Sequence, residues 1–184
     1  MNNEYRKIGL KSEEEREREF DEEVIEVARV ARTVKGGRRI RFRAAVVIGD
    51  RNGRVGIGVD KANEVLAAVN KAKAKARKNL ITIPIVEESI PFPLDYKYRG
   101  AKVRLLPASQ GTGVIAGGSV RVVVELVGIK NLLSKIMGSA NKINNVKATF
   151  LALKKLSFLY SMKTTSITEK EDKTKSKKKA KIKK

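Results

Sequence analysis

The residues of this chain that could do chemistry most directly form a glycine-rich segment, Gly111 to Gly118, between a predicted strand and a predicted helix. Backbone N–H groups in such a loop, together with a helix N-terminus, can hold a phosphate. A dinucleotide-binding loop also needs an acidic residue about twenty positions further on, where this chain has Asn131-Leu132-Leu133. A P-loop needs Gly-Lys-Ser/Thr after its spacer, which is missing. The segment is therefore predicted to be a tight structural turn or an RNA-backbone contact, with nucleotide binding as an open alternative.

Cysteine and histidine are both absent from the 184 residues. Their absence excludes disulfides, thiol nucleophiles, imidazole bases and zinc sites of the Cys/His type. The eight acidic residues between positions 24 and 162 have no spacing typical of a catalytic carboxylate pair or a metal site. We therefore expect no enzyme, no cofactor and no bound metal.

The charge of the chain is its strongest functional signal. It has 41 Lys and Arg side chains against 20 acidic ones, a formal net charge of +21. Residues 24–162 hold twenty-six of the basic and eight of the acidic side chains, so most of the excess belongs to the part expected to fold. A domain with this charge repels itself, and a polyanion relieves the repulsion. The composition therefore indicates a nucleic acid as partner.

Membrane insertion and secretion are not indicated. No run of about 18 uncharged apolar residues occurs, and the first residues lack the basic-then-apolar layout of a signal peptide. We expect a cytoplasmic protein that crosses no membrane.

Predicted strands position the positive charges. Arg38 to Ile48 alternates most clearly between apolar and basic residues, which indicates a strand. Its expected core face consists of Ile40, Phe42, Ala44, Val46 and Ile48. The opposite face begins with Arg39, Arg41 and Arg43. The preceding Lys35-Gly36-Gly37 predicts a hairpin turn after the strand Val24 to Val34, and a tip without bulky side chains can enter a narrow RNA site.

A second hairpin is predicted at Asn52-Gly53, a pair that tight turns favour because both central residues need positive φ. We expect the next strand to continue the buried face of Ile48 with Val55, Ile57 and Val59, while Gly56 and Gly58 leave room for a close approach on the other face. The stretch from Asn63 to Leu80 is predicted to be a helix with a basic ridge at Lys71, Lys75 and Lys78.

Three antiparallel strands backed by a helix are the arrangement of double-stranded-RNA-binding modules, which recognise shape, phosphates and 2′-hydroxyls. Only Phe42 places an aromatic ring in these strands, so base stacking on the sheet is disfavoured. We expect the RNA contacts to come from the two hairpin loops, the arginine row and the basic ridge. These residues are Arg32, Thr33, Lys35, Gly36, Gly37, Arg38, Arg39, Arg41, Arg43, Arg51, Asn52, Arg54, Lys61, Lys71 and Lys75.

Alternating strands and helices predict an α/β layer in the second half of the chain. Ile81 to Ile90 and Lys102 to Leu106 are strand-like, Val120 to Val127 and Asn141 to Leu159 are helical, and Ile129 to Met137 fits either. The predicted fold class is α+β, with a double-stranded-RNA-binding-like domain followed by a two-layer α/β domain. The expected boundaries are an acidic extension at 1–23, the first domain at 24–82, the second at 83–160 and a disordered lysine-rich tail at 161–184.

Four segments together resemble one family. They are Val34-Lys-Gly-Gly-Arg38, Gly49-Asp-Arg-Asn-Gly-Arg-Val-Gly-Ile-Gly58, Pro107-Ala-Ser-Gln-Gly-Thr-Gly-Val-Ile-Ala-Gly-Gly118 and Gly138-Ser-Ala-Asn. In this order, over about residues 24–158, the chain is similar to the S-five family of bacterial small-subunit ribosomal proteins. The string from Pro107 to Gly118 is the most specific of the four.

The resemblance implies a ribosomal protein whose partners are small-subunit ribosomal RNA and the neighbouring proteins S-four and S-eight, close to the messenger RNA entrance and its helicase activity. It implies that the hairpin Thr33 to Arg38 reaches the RNA near the neck of the subunit, beside the spectinomycin site. The surface facing S-four, which influences decoding accuracy, is implied at Gln110, Gly111, Thr112, Gly113 and Arg121. Many relatives carry an acid where this chain has Gln110. No homo-oligomer is expected.

Two alternatives remain from other functional classes. A free double-stranded-RNA-binding regulator would share the basic first domain, and a nucleotide-dependent enzyme would use the loop from Gly111 to Gly118.

Overall fold

The computed structural model describes the backbone of residues 20–182 and the side chains of residues 20–163. The predicted acidic extension therefore lies outside the described residues up to position 19. The elements in chain order are β1 (Asp21–Val34), β2 (Gly37–Gly49), β3 (Arg54–Ala62), α1 (Val65–Lys78), β4 (Leu80–Thr82), β5 (Leu94–Tyr98), β6 (Ala101–Pro107), β7 (Val114–Ile115), α2 (Gly118–Val127), β8 (Leu132–Gly138) and α3 (Lys142–Ile182).

These elements form two four-stranded sheets. The first has the order β1-β2-β3-β4 and is antiparallel throughout. The second has the order β5-β6-β8-β7, in which β7 is parallel to β8 and the other pairs are antiparallel. The predicted α+β class is confirmed, and β4 adds a short fourth strand to the three that were expected. Strand β1 also begins at Asp21, three residues before the expected start, because Asp21 to Val24 pair with the end of β2.

Helix α1 packs unusually close to the first sheet because glycines of β3 face alanines of the helix. A Cβ built on Gly58 would lie 1.8 Å from the carbonyl oxygen of Ala72, and one on Gly56 would lie 2.4 Å from that of Ala76. Ala72 and Ala76 are fully buried in this layer. Any side chain at either glycine would have to push the helix away from the sheet.

The prediction that Val55, Ile57 and Val59 of β3 lie on the same face of the sheet as Ile48 is wrong. Gly56 lies opposite Ile48 and Ile57 lies opposite Val47, so the glycines, and not Val55 and Ile57, share the helix-facing side of β2. The cause is the loop length, because residues 50–53 separate the two strands where a two-residue Asn-Gly turn was expected. Positive φ occurs at Arg51 and Gly53 instead of at the central Asn-Gly pair. Shifting a strand by one residue moves every side chain to the other face.

Both faces of the first sheet are buried over its inner half. Val47, Val55 and Ile57 belong to a core that continues into α2, the second sheet and α3, while Val46 and Ile48 pack under α1. Toward the turn the situation changes, because β3 ends at Ala62, opposite Phe42. Beyond that point β1 and β2 project as a two-stranded hairpin. Ile40, expected in the core, is consequently 42% exposed.

The second sheet and helices α2 and α3 form the rest of the common core. In the predicted helix α3, Val146, Leu153 and Leu156 are buried, and Phe150 is partly buried. The ambiguous stretch after Ile129 forms strand β8. The predicted strand Ile81 to Ile90 is mostly wrong, because regular pairing ends at Thr82, before Pro84, which has no N–H to donate.

Helix α3 continues to Ile182, through most of the segment expected to be a disordered tail. The side chains beyond residue 163 lie outside the described part of the chain, so the disorder of the tail stays a prediction.

Candidate nucleic-acid interface

The tip of the projecting hairpin is a two-residue turn at Lys35 and Gly36, between the paired residues Val34 and Gly37. Every residue from Ala31 to Arg41 is exposed. Arg32 lies directly opposite Arg39, and Thr33 lies opposite Arg38. Like charges placed opposite each other destabilise a strand pair. An anion between them would remove that repulsion, so this end of the hairpin is suited to phosphate groups.

The turn has open space around its glycines. A Cβ built on Gly36 or Gly37 would meet no atom within 4 Å. Gly37 has a φ of 142°, which side chains rarely adopt, but Gly36 has no positive φ. Neither the packing nor the backbone of the protein itself therefore requires glycine at position 36, and its small size is available to an external surface.

The three arginines of the predicted row differ in their availability. Arg39 and Arg41 are exposed and form no ion pair or hydrogen bond with another residue of the described chain. Arg43 is half-buried, and one of its terminal nitrogens lies 3.7 Å from Oε2 of Glu26. Arg39 and Arg41 are thus fully available to a polyanion, whereas Arg43 is partly neutralised within the protein.

A basic depression connects the hairpin to α1. Arg41, Lys61 and Lys71, which the sequence assigned to RNA, come together around a hollow of about 360 Å³, and Glu64 lies on its rim. Lys75 is less available, because its Nζ lies 3.2 Å from the carbonyl oxygen of Val59 and 3.8 Å from Oδ2 of Asp60. The hairpin, the depression and the start of the basic ridge form one continuous cationic surface.

The second loop, residues 50–53, faces the other domain with its backbone. The N–H of Arg51 donates to the carbonyl oxygen of Leu126 at 3.0 Å, and the N–H of Gly53 donates to that of Val127 at 2.8 Å. These carbonyls end α2, where a helix has no partners of its own. The side chain of Arg51 is ion-paired with Asp21 at 2.7 Å. The loop expected to bind RNA therefore also joins the two domains, while the side chain of Asn52 is exposed.

Arg54 stabilises the same loop, which connects the two domains. Its Nε donates to Oδ2 of Asp50 at 2.5 Å, and its guanidinium lies 5.0 Å from the ring centre of Phe20. Burial of the Asp50 carboxyl opposes its ionisation, but hydrogen bonds from the side chain of Arg54 and from the backbone N–H groups of Asn52 and Arg54 outweigh this and hold the pKa of Asp50 below its usual value. These contacts engage Arg54 within the protein, and the RNA-binding role predicted for it stays a prediction.

The glycine-rich loop after β6 forms a closed turn held by a contact within the loop and by a hydrogen bond to Asn131. The Oγ atoms of Ser109 and Thr112 lie 3.2 Å apart, and the N–H of Gly113 donates to Oδ1 of Asn131 at 3.1 Å. Gly111 and Gly113 have φ values of 87° and 75°, which explains why glycine stands there. The outcome is the structural turn that was one of the sequence-based alternatives.

The residues implied to face S-four lie together on this surface. Gln110 and Gly111 are exposed, and Thr112 and Gly113 are half-buried. Arg121, on the exposed side of α2, donates to the carbonyl oxygen of Val114 at 3.3 Å. Ile115 beside them is 55% exposed. The structure thus brings all five predicted residues to one patch with an apolar side chain at its edge.

Sequence reasoning missed the buried polar residues that fasten this loop. Asn131 and Ser89 are almost fully buried, and Oγ of Ser89 donates to the carbonyl oxygen of Asn131 at 2.6 Å. The same Oγ accepts the N–H of Ala108. No local pattern marks these positions, because their partners lie 42 and 19 residues away.

Among the described residues, no group of three or more acidic side chains is placed to hold a metal ion. No helix in that part of the chain is long and apolar enough to cross a membrane.

A strongly basic α+β protein with a sheet-and-helix first domain and a projecting arginine hairpin has the general arrangement of proteins that bind double-stranded RNA. Two family descriptions match the chain: "Ribosomal protein S5, N-terminal domain" over residues 20–84 and "Ribosomal protein S5, C-terminal domain" over residues 96–164. The chain belongs to the ribosomal protein S5 family, as its sequence motifs predicted. This family is not one of enzymes, which confirms that expectation as well.

Individual relatives give the same assignment. The chain is 49% identical over 148 residues to "Small ribosomal subunit protein uS5c" of Spinacia oleracea, a match covering 79% of this chain and 48% of that protein. It is 52% identical over 141 residues to "Small ribosomal subunit protein uS5" of Gloeobacter violaceus, covering 76% and 63%. The protein of the same name from Nostoc punctiforme is 49% identical over 152 residues, covering 82% and 87%. The chain thus spans about half to two thirds of the length of the first two relatives.

Proposed function

We propose that the protein is a structural constituent of the small ribosomal subunit that binds ribosomal RNA through the β1–β2 hairpin and the basic depression. The observation that carries this proposal is the hairpin itself, which projects from the fold with Arg32 and Arg39 face to face. In the isolated protein the repulsion between these two arginines destabilises the hairpin, whereas the phosphates of an RNA backbone neutralise it. The relatives' names, which place them in the small subunit, support the same assignment.

The turn is proposed to contact the RNA most closely. Gly36 lies in open space and needs no glycine for its own conformation, so a small residue there serves the approach of another molecule. Arg39 and Arg41 then contact phosphates along the strand, and Lys61 and Lys71 extend the contact to α1. This mode recognises shape and backbone more than sequence.

The patch from Gln110 to Gly113 with Arg121 is proposed to contact the neighbouring ribosomal protein S-four, as the family resemblance implies. Its rigid turn and the exposed Ile115 support a protein contact, because an apolar side chain adds nothing to phosphate binding. By the same resemblance we propose contact with S-eight, a position at the messenger RNA entrance in the cytoplasmic ribosome and an influence on decoding accuracy.

The RNA surface is tested by replacing Arg39 and Arg41 with Ala in the full chain and measuring binding to a small-subunit ribosomal RNA fragment over a range of salt concentrations. We expect at least about tenfold weaker binding and a salt slope lower by about 2, because two phosphate contacts are lost. The matched control replaces Lys97 and Lys135, two exposed cations of the second sheet, and removes the same charge. Equal losses from both variants would show that net charge, and not the hairpin, binds the RNA.

Co-sedimentation with small subunits in moderate salt separates a ribosomal constituent from a free RNA-binding regulator. A constituent stays with the particle, whereas a regulator is found mostly in the unbound fraction. Recovery of the protein chiefly in the unbound fraction would contradict the proposal.

A further inference from the structure

A cleft of about 440 Å³ lies between the two domains, and Lys78 of the basic ridge is the one residue of its lining that was assigned above to RNA or protein contacts. Its apolar lining includes Ile57 from β3, Leu80 and Ile81 from β4, and Leu151 from α3. Cavities that bind small molecules usually measure about 300–1,000 Å³, so this cleft has room for a ligand of moderate size.

Two aromatic rings form part of its wall. Tyr98 ends strand β5, and Phe150 lies on α3, both partly buried. Lys147, Phe150, Leu151 and Lys154 have the spacing i, i+3, i+4 and i+7, which places them on one face of α3. The helix therefore presents an apolar pair flanked by a cation at each end to the same cleft.

Three lysines also line the cleft. Lys78 from the end of α1 joins Lys147 and Lys154, and no acidic residue lines the cleft. None of the three ammonium groups has an ion-pair partner in the described part of the chain. Nζ of Lys147 lies 6.0 Å from the ring centre of Tyr98. A ligand that fits has a flat apolar part for the rings and a negative charge for the lysines.

We propose that this interdomain cleft binds an unpaired nucleotide, with the base against Tyr98 and Phe150 and the phosphate near Lys78, Lys147 and Lys154. Aromatic rings accept any base by stacking, and unpaired lysines attract the backbone phosphate. The nucleotide is either part of an RNA strand, in which case the inference rests on the proposed function, or a free mononucleotide. The cleft supplies the aromatic platform that the first sheet lacks, on a different surface from the hairpin.

The test uses calorimetric titration of the full chain with AMP, with a short unpaired oligoadenylate and with an RNA duplex. Replacement of Tyr98 by Leu is expected to weaken oligoadenylate binding by about 5- to 100-fold, the usual range for losing one stacked base. The double replacement Lys78→Ala with Lys154→Ala, both exposed residues, is expected to weaken it about tenfold. The matched control, Lys135→Ala with Lys155→Ala, removes the same charge outside the cleft and should leave the affinity unchanged. Circular dichroism verifies that each variant is folded.

The outcomes separate the sources of the ligand. Cleft-dependent binding of AMP identifies a free nucleotide, and cleft-dependent binding of oligoadenylate alone identifies an RNA strand. The inference is overturned if neither AMP nor oligoadenylate binds, or if the cleft variants bind these two probes as tightly as the control variant does. Duplex binding reports on the hairpin separately. If it persists while cleft binding is absent, the cleft proposal fails and the proposed function stands.

Discussion

Asp50 is the residue whose ionisation stabilises the joint between the domains. Its carboxylate accepts hydrogen bonds from Arg54 and from the backbone N–H groups of Asn52 and Arg54, and its side chain is 4% exposed. The folded state therefore favours the ionised form, and the pKa of Asp50 lies below the value of about 3.9 expected in the unfolded chain. The stabilisation is complete above the unfolded pKa and disappears as the pH falls through the folded one.

Replacing Asp50 with Asn is expected to lower the free energy of unfolding by about 2 kcal/mol at pH 7, because the charged acceptor is lost while its donors stay. Urea unfolding of both proteins at several pH values measures the difference. The gap between them should narrow as the pH falls below about 4, because the unfolded chain of the unmodified protein then binds a proton at Asp50 that the folded state takes up only at lower pH. The control Asp95→Asn, at the exposed pair with Arg104, should cost less. A gap independent of pH would contradict the role given to Asp50.

At the residue scale, the sequence predicted which charged residues are exposed better than it predicted which residues they contact. The loop residues of the β1–β2 hairpin are exposed as expected, because a basic turn with two glycines has no apolar group to bury. Arg54 was assigned to RNA because it follows a loop, yet its guanidinium contacts Asp50 and Phe20. Asn131 attracted notice only for not being acidic. Pairings of this kind depend on the tertiary fold, which residue type and local spacing do not specify.

At the scale of elements, the contact between α1 and β3 depends on two glycines. Replacing Gly58 with Ala would place a Cβ 1.8 Å from the carbonyl oxygen of Ala72, a backbone atom that cannot move by rotating a side chain. We expect the free energy of unfolding to fall by about 3 kcal/mol or more, as in severe overpacking. Chemical denaturation measures this loss.

The control for Gly58 is Gly36→Ala in the hairpin turn. The added methyl group meets no atom within 4 Å, so stability should change by less than about 0.5 kcal/mol. If the turn approaches RNA as proposed, this control should nevertheless weaken RNA binding. A stable Gly58 variant would show that α1 can shift at little cost and that the close packing is not required.

The order and type of most elements could be predicted, but their faces could not always be. The strand from Gly37 to Gly49 and helix α1 follow hydrophobic period, which is a local property of the sequence. Which side chains of β3 face α1 depends on the pairing register that the preceding loop sets. The Asn-Gly pair suggested a two-residue turn, and the actual loop of residues 50–53 shifts the pairing by one residue. The burial of Val47 on the second face depends on α2, which lies about seventy residues later in the chain. Local patterns contain no information on such a contact.

At the scale of the whole molecule, the two domains share a core and a backbone joint. The core extends from Val47 and Ile57 of the first sheet to α2 and α3, and the loop at residues 50–53 donates two N–H groups to the end of α2. The sequence predicted two domains from a change in pattern and assigned this loop to RNA. Elements that share buried surface and hydrogen bonds unfold together. The protein should therefore behave as one cooperative unit despite its two family domains.

Gly128 is the position at which this unity can be tested. It ends α2 with a φ of 93°, and a Cβ there would lie 2.0 Å from the carbonyl oxygen of Arg51 in the other domain. Replacement by Ala should both strain the helix end and separate the loop from it, lowering the free energy of unfolding by about 2 kcal/mol or more. In this variant, hydrogen exchange at the N–H groups of Arg51 and Gly53 should be faster than in the unmodified protein. The increase should be larger at these two groups than in the centre of either sheet. The control Gly118→Ala, at the other end of α2 where a Cβ meets no atom within 4 Å, should change neither quantity appreciably.

The unmodified protein should unfold in a single transition whether helix content or the exchange of β2 is followed. Two separate transitions in the unmodified protein, or unchanged exchange at Arg51 and Gly53 in the Gly128 variant, would mean that the domains are stable independently and that the loop is free to serve RNA alone.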